Sequence, residues 1–185
     1  MADRRSADGA RAGDPEEKEV SRVFRAPRSL VFEVWTKADH FSRWFGPHGA
    51  EVFDCAIDAR PGGAIRFGHR FADGTAFRFE GTFIEVLPDE RLVFTMRTVD
   101  EHGQPVRLPS LAELPLDVSI ETVVRLDDVS AGTRVRIAHR LLPADAGAHP
   151  AGMEWSRLAG EGSTQVLDRL GTHLSSVGAR TEPTP

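Results

Sequence analysis

Residues 63–99 read GAIRFGHRFADGTAFRFEGTFIEVLPDERLVFTMRTV, and the period of that stretch decides the fold. Apolar side chains recur at every second position, which puts successive residues on opposite faces of an extended chain. Ile65, Phe67, His69 and Phe71 share one face, against Arg66 and Arg70. In the next segment Phe77, Phe79, Gly81 and Phe83 oppose Arg78, Glu80 and Thr82. Leu92, Phe94, Met96 and Thr98 then oppose Thr95 and Arg97. ADG (72–74) and PDE (88–90) carry residues suited to tight reversals, so the spacing predicts antiparallel strands over 63–72, 75–87 and 91–99.

The same alternation continues outward. Val118, Ile120, Thr122 and Val124 oppose Glu121 and Arg125, and Val135, Ile137, His139 and Leu141 oppose Arg134, Arg136 and Arg140, which predicts strands over 118–127 and 132–142 around the SAG turn (130–132). Upstream, 50–58 reads as a strand closed by RPGG (60–63), and VSRVF (20–24) as another. Between those two, Ala26-Pro27 opens a helix with Leu30, Val31, Val34, Trp35 and Ala38 at helical spacing. Asp39 is the expected cap of a second, short helix that carries Phe41, Trp44 and Phe45 and stops at Gly46-Pro47. From Pro150 to Val177, Leu158, Gly162, Val166, Leu170 and Leu174 recur by fours, the mark of a long helix. The order β, α, α, six β, long α specifies an α+β domain whose antiparallel sheet curls around the C-terminal helix. Residues 1–18 and 178–185 are small, charged or proline-rich and are expected to be disordered tails, leaving 19–177 as one domain.

Composition narrows the function. A chain of 185 residues encloses a single core. No apolar run approaches the roughly 20 residues that span a bilayer, and the N-terminus has no signal-peptide pattern, so a cytoplasmic protein without membrane contact is expected. The net charge of -5 argues against a nucleic-acid partner. The single cysteine, Cys55, excludes an internal disulfide and a thiolate cluster and reads as inert packing. Metal-protease, phosphate-loop, dinucleotide and nucleophile-elbow motifs are missing, and the seven histidines show no ligand spacing, so neither a metal nor a cofactor is expected. The arginines and glutamates of the outer sheet face read as a solvated, cross-strand-paired lattice.

The inner face is more informative. It is almost wholly apolar yet contains His69 and His139. Each is either a satisfied core residue or, as a neutral imidazole in a cavity, a hydrogen-bond partner or general base, the two catalytic candidates of the chain. Glu154, Ser163, Thr164 and Gln165 on the last helix are candidate polar points beside them.

The run VFRAPRSLVFEVWTKADHFSRWFGP (23–47), the D-x-RPGG of 58–63, Asp73-Gly74, EGTFIEVLPDERLVFT (80–95), GTRV (132–135) and VLDRLGTHL (166–174) together resemble the START-like helix-grip (SRPBCC) superfamily. Within it the match is to the branch named after activators of a heat-shock ATPase chaperone, and it covers roughly 18–176. The resemblance implies a seven-stranded antiparallel sheet gripping the long C-terminal helix around a hydrophobic cavity. Its implied lining comprises Trp35, Phe41, Trp44 and Phe45 from the helical segment, and Phe67, His69, Phe77, Phe79, Phe83, Phe94 and Met96 from the middle strands. Ile120, Ile137 and His139 from the last two strands and Trp155, Leu158, Gly162 and Val166 from the C-terminal helix complete it. Phe41, Trp44 and Phe45 would either roof one end of that cavity or simply cap the core.

The chain departs from the branch in two places. Many relatives carry a glycine-tryptophan pair five residues before L-D-R-L, where this chain has Gly162-Ser163; a serine there would enlarge or polarise the wall if it faces inward. HGQPVRLPSLAELPLD (102–117) replaces a shorter turn, and Leu108, Leu111, Leu114 and Leu116 need cover, as a lid on the cavity or a homodimer contact. The leading expectation is therefore binding of a small hydrophobic or aromatic molecule between sheet and helix. The alternative is a cyclase, dehydratase or hydrolase using His69 or His139. Third comes a cofactor for a chaperone ATPase, ranked last because the eponymous activity depends on an extra N-terminal domain for which the tail here is too short.

Overall fold

The computed structural model describes residues 19–108, 113, 116, 118–143 and 150–181. Strand β1 (Glu19–Phe24) leads into helices α1 (Arg28–Thr36) and α2 (Ala38–Trp44). Strands β2 (Glu51–Ile57), β3 (Ala64–Arg70), β4 (Ala76–Leu87), β5 (Arg91–Val99), β6 (Ser119–Val129) and β7 (Gly132–Leu142) follow, and helix α3 (Pro150–Thr181) closes the chain. All seven strands form one antiparallel sheet in the order β1-β7-β6-β5-β4-β3-β2. The meander from β2 to β7 is built of reversals between neighbours, and β1 returns to pair with β7, Glu19 opposite Ala138.

Two local readings change at the helix starts. Pro27 is the N-cap of α1, in extended conformation, rather than its first helical residue. Lys37 caps α2, and Asp39 lies in the first turn, where its negative charge complements the helix N-terminus. Helix α3 continues to Thr181, four residues past the boundary at 177 expected from its leucine spacing. No helix among the described residues is long and apolar enough to cross a membrane.

The inner sheet face and α3 meet in one core. Ile65, Phe83, Leu92, Phe94, Val124, Val135 and Ile137 are fully or nearly fully buried against Leu167, Leu170 and Leu174 of α3. Each such side chain contributes roughly 1.5–3 kcal/mol by leaving water. Irregularities in the ladders give the sheet its curl. The register shifts between Phe53 and Ala56, where Asp54 has φ 50°, and again between Phe83 and Glu85, which leaves Ile84 exposed. At Gly81 a Cβ would lie 1.8 Å from Thr95 O, so only glycine lets β4 and β5 approach that closely.

The outer face is less purely charged than its sequence pattern indicates. Val93, Val123 and Ala138 are buried on it, aligned across β5, β6 and β7. Phe53 lies between the guanidinium groups of Arg70 and Arg78, 4.5 and 4.7 Å from its ring centroid, over the space left by Gly68. Around these apolar spots run the ion pairs Arg136–Asp127 (2.8 Å) and Arg140–Glu121 (2.6 Å). In the long β5–β6 connection Leu108 packs against the core and Leu116 is exposed; Leu111 and Leu114 lie outside the described residues, as do residues 1–18 and 182–185.

Candidate functional site

Toward the N-terminal half of α3 the helix presents small residues to the sheet: Ala159, Gly162 and Ser163. A Cβ built on Gly162 meets nothing within 4 Å. The sheet's curl is not filled by side chains there, and a cavity of about 440 Å³ remains between α3 and the inner faces of β3 to β7. Its volume falls in the range of small-molecule sites.

The sequence-derived candidates divide into wall and backing. Phe67, His69, Phe77, Phe79 and Met96 line the cavity from β3 to β5, and Ile120, Ile137 and His139 from β6 and β7. Trp155, Leu158, Gly162 and Val166 line it from α3, and Trp35 and Phe45 close the end beneath the short helices. Phe41, Trp44, Phe83 and Phe94 do not reach it; they are buried in the core behind the wall. Of the three aromatic residues of α2 and its end, Phe45 therefore roofs the cavity while Phe41 and Trp44 cap the core. Phe41 stacks on Phe45 with ring centroids 4.1 Å apart, and Trp44 Nε1 donates to Val34 O (3.0 Å), so the roof is fixed from behind.

His139 belongs to a closed hydrogen-bond chain. Its Nδ1 is 2.9 Å from Thr122 Oγ1 and its Nε2 is 2.9 Å from Ser163 Oγ. The Ser163 hydroxyl donates its one proton to Ala159 O at 2.8 Å. It therefore accepts from His139, which fixes the proton on Nε2 and leaves Nδ1 to accept from Thr122. Burial holds the pKa down to about 4, so the imidazole is neutral at pH 7. Position 163 faces inward, and the serine polarises the wall by satisfying this histidine.

His69 is placed differently. Its ring lies among Phe45, Phe67 and Phe79, with centroids 6.0, 5.2 and 5.3 Å away. Its Nε2 is buried without a hydrogen-bond partner, facing Gly46, where a Cβ would approach to 2.7 Å. Burial, and secondarily the charge of Arg169, lower its pKa to about 4. Trp35 Nε1 is likewise buried without a partner.

Arg169 ties the cavity's end wall together. Its Nη1 donates to Pro47 O (2.8 Å), Ala50 O (2.9 Å) and Gly46 O (3.3 Å), clasping the loop that seals His69 to α3. Gln165 Oε1 accepts from His48 N at 2.8 Å in the same clasp. Of the other polar candidates on α3, Glu154 is exposed and paired with Arg157, and Thr164 is exposed with its hydroxyl on Gly160 O. Cys55 is half-buried, its thiol pushed up to about 11 by burial and then by Asp39. Among the described residues no three metal-ligating side chains come together.

Sequence reasoning put Thr122 and Phe71 on the inner face and Leu108 in a lid or dimer contact without naming them as lining, and it passed over Arg169, Pro47 and Glu161. Thr122 carried a signal, a polar residue in phase with an apolar face. Arg169 carried none, because a charged residue on an amphipathic helix normally faces water.

The chain matches the family model described as activator of Hsp90 ATPase homolog 1-like protein over residues 25–175. Solved structures share the fold. A Chromobacterium violaceum protein is 26% identical, with a TM-score of 0.64 over 84% of this chain and 94% of its own. A solution structure from Arthrobacter aurescens is 21% identical, with a TM-score of 0.68 over 85% of each chain. The AHSA1 protein from Silicibacter pomeroyi is 20% identical, with a TM-score of 0.66 over 85% of this chain and 96% of its own. No curated protein matches.

Proposed function

The chain belongs to the activator of Hsp90 ATPase homolog 1-like family, and from that premise and the shape of its interior we propose that it binds a small hydrophobic or aromatic molecule in the cavity between sheet and α3. The observation that carries this reading is the volume of about 440 Å³ walled mainly by aromatic and aliphatic side chains. Apolar surface removed from water supplies roughly 25 cal/mol per Å² toward binding, before ordering costs. The walls are pre-formed: Phe45 is stacked from behind, His139 is held at both nitrogens, and Arg169 pins the loop over His69.

Binding ranks above catalysis because of the histidines themselves. An effective general base has a pKa near the working pH. Both imidazoles are held to about 4, and both nitrogens of His139 are already engaged. Such groups make weak bases and good walls.

Native mass spectrometry of freshly purified protein, with Gly162→Phe beside it, tests the reading. A Cβ at Gly162 meets nothing within 4 Å, so the variant is expected to fold with its ring taking up cavity space. A small-molecule adduct on the wild type that is lost from the variant is the expected result. An adduct retained by the plugged variant would place the ligand elsewhere and defeat the proposal.

A further inference from the structure

We propose that the cavity selects uncharged ligands and rejects carboxylates, including fatty and aromatic acids of matching size. The inference rests on the binding reading above and adds the chemical class of the guest.

Its basis is the placement of charge around the wall. Among the described lining residues the only ionisable side chain besides the two histidines is Glu161, an acid that would repel an anion, and it is paired with Arg157. Arg169, the cation adjoining the end wall, directs Nη1 at three loop carbonyls. Among the described residues that line the cavity there is no arginine or lysine. The two cavity imidazoles are neutral at pH 7 because burial lowers their pKa to about 4, so neither serves as the missing cation.

A carboxylate entering this space would leave water without a counter-charge on the wall, since Arg169 is not among the lining residues and its Nη1 is held on loop carbonyls, a loss that hydrogen bonds from neutral groups do not offset. A neutral oxygen has far less hydration to surrender. The hydrogen-bonding capacity left to it is of donor type. The hydroxyl of Ser163 is committed to Ala159 O and accepts from His139, and Gln165 Oε1 accepts from His48 N, which leaves the Gln165 amide N–H groups and the unpartnered Trp35 Nε1–H for a guest, beside His69 Nε2, which donates when it carries the ring proton. The geometry thus suits a ring system or chain bearing a ketone, ester or ether oxygen.

The experiment is calorimetric titration of the full chain at pH 7.5 with three matched pairs of probes: 2-acetylnaphthalene and 2-naphthoate, 4-acetylbiphenyl and biphenyl-4-carboxylate, 2-tridecanone and dodecanoate. Each pair keeps its apolar body and changes only the charge. In at least one pair the ketone is expected to bind at least about a hundredfold more tightly than the acid, the ratio set by an uncompensated buried charge. Equal affinities, or a preference for the acid in the pairs that bind, would overturn the selection while leaving the binding reading intact. Failure of all six probes would remove the binding reading and the selection together.

Discussion

Gly46 shows how one position carries two constraints. Its φ of +117° is a backbone conformation that L side chains rarely adopt, and a Cβ there would come 2.7 Å from His69 Nε2. Gly49, three residues on in the same loop, has φ +81° but open space around it. Alanine at Gly49 therefore meets backbone strain alone, of order 1 kcal/mol, whereas alanine at Gly46 adds displacement of a buried ring. Urea denaturation is expected to show Gly46→Ala more destabilising than Gly49→Ala by about 1–2 kcal/mol. Equal costs would mean that His69 shifts without penalty. The two inner-face histidines likewise look alike in sequence but separate in space. His139 is satisfied by Thr122 and Ser163, while His69 keeps an unpartnered nitrogen against Gly46.

At the scale of the element, α3 combines a good amphipathic stripe with poor local choices. Gly160 and Gly162 lie inside a 32-residue helix, with nothing within 4 Å of the Cβ that either lacks. Replacing glycine by alanine in a helix interior gains about 0.5–1 kcal/mol when space permits. Gly160→Ala and Gly162→Ala are each expected to raise the thermal midpoint by a few degrees. Their effects on a bound guest should differ, because Gly162 lines the cavity and Gly160 does not. A titration of the two variants with whichever naphthalene probe binds is expected to show weaker affinity for Gly162→Ala alone. If both stabilise and neither changes affinity, the guest does not touch α3 at that point. The helix retains a glycine there at a cost in stability, which is what a recess for a guest requires.

For the whole molecule, burying two neutral imidazoles links stability to pH. Their folded pKa values, about 4, lie below the ordinary 6.5, so the unfolded chain takes up protons that the native state refuses. The sign follows directly. Stability is unaffected above about pH 6.5 and is lost as pH falls toward 4, by roughly 3 kcal/mol for each histidine at the lower end. Urea midpoints at pH 7.5, 6 and 5 should fall steeply in the wild type and more shallowly in the His69→Gln His139→Gln double variant. Identical slopes would assign the acid sensitivity to carboxylates instead.

The sequence alone determined the architecture of this protein. Alternation over residues 63–99 and 118–142 specified which side chains face inward, and Pro27, Gly46-Pro47 and the leucine spacing of α3 specified the helices, because periodicity and turn chemistry are local properties of the chain. Even the inward serine at 163 was identified as a departure, though not what it would satisfy. Only the tertiary structure decided that Phe45 lines the cavity while Phe41 and Trp44 stand behind it, that Arg169 spans from helix to loop, and that room remains beside Gly162. A period says which face a residue is on but not how far the opposite wall lies. That distance depends on two ladder irregularities, at 53–56 and 83–85, and on the close approach at Gly81, acting together over a seven-stranded sheet.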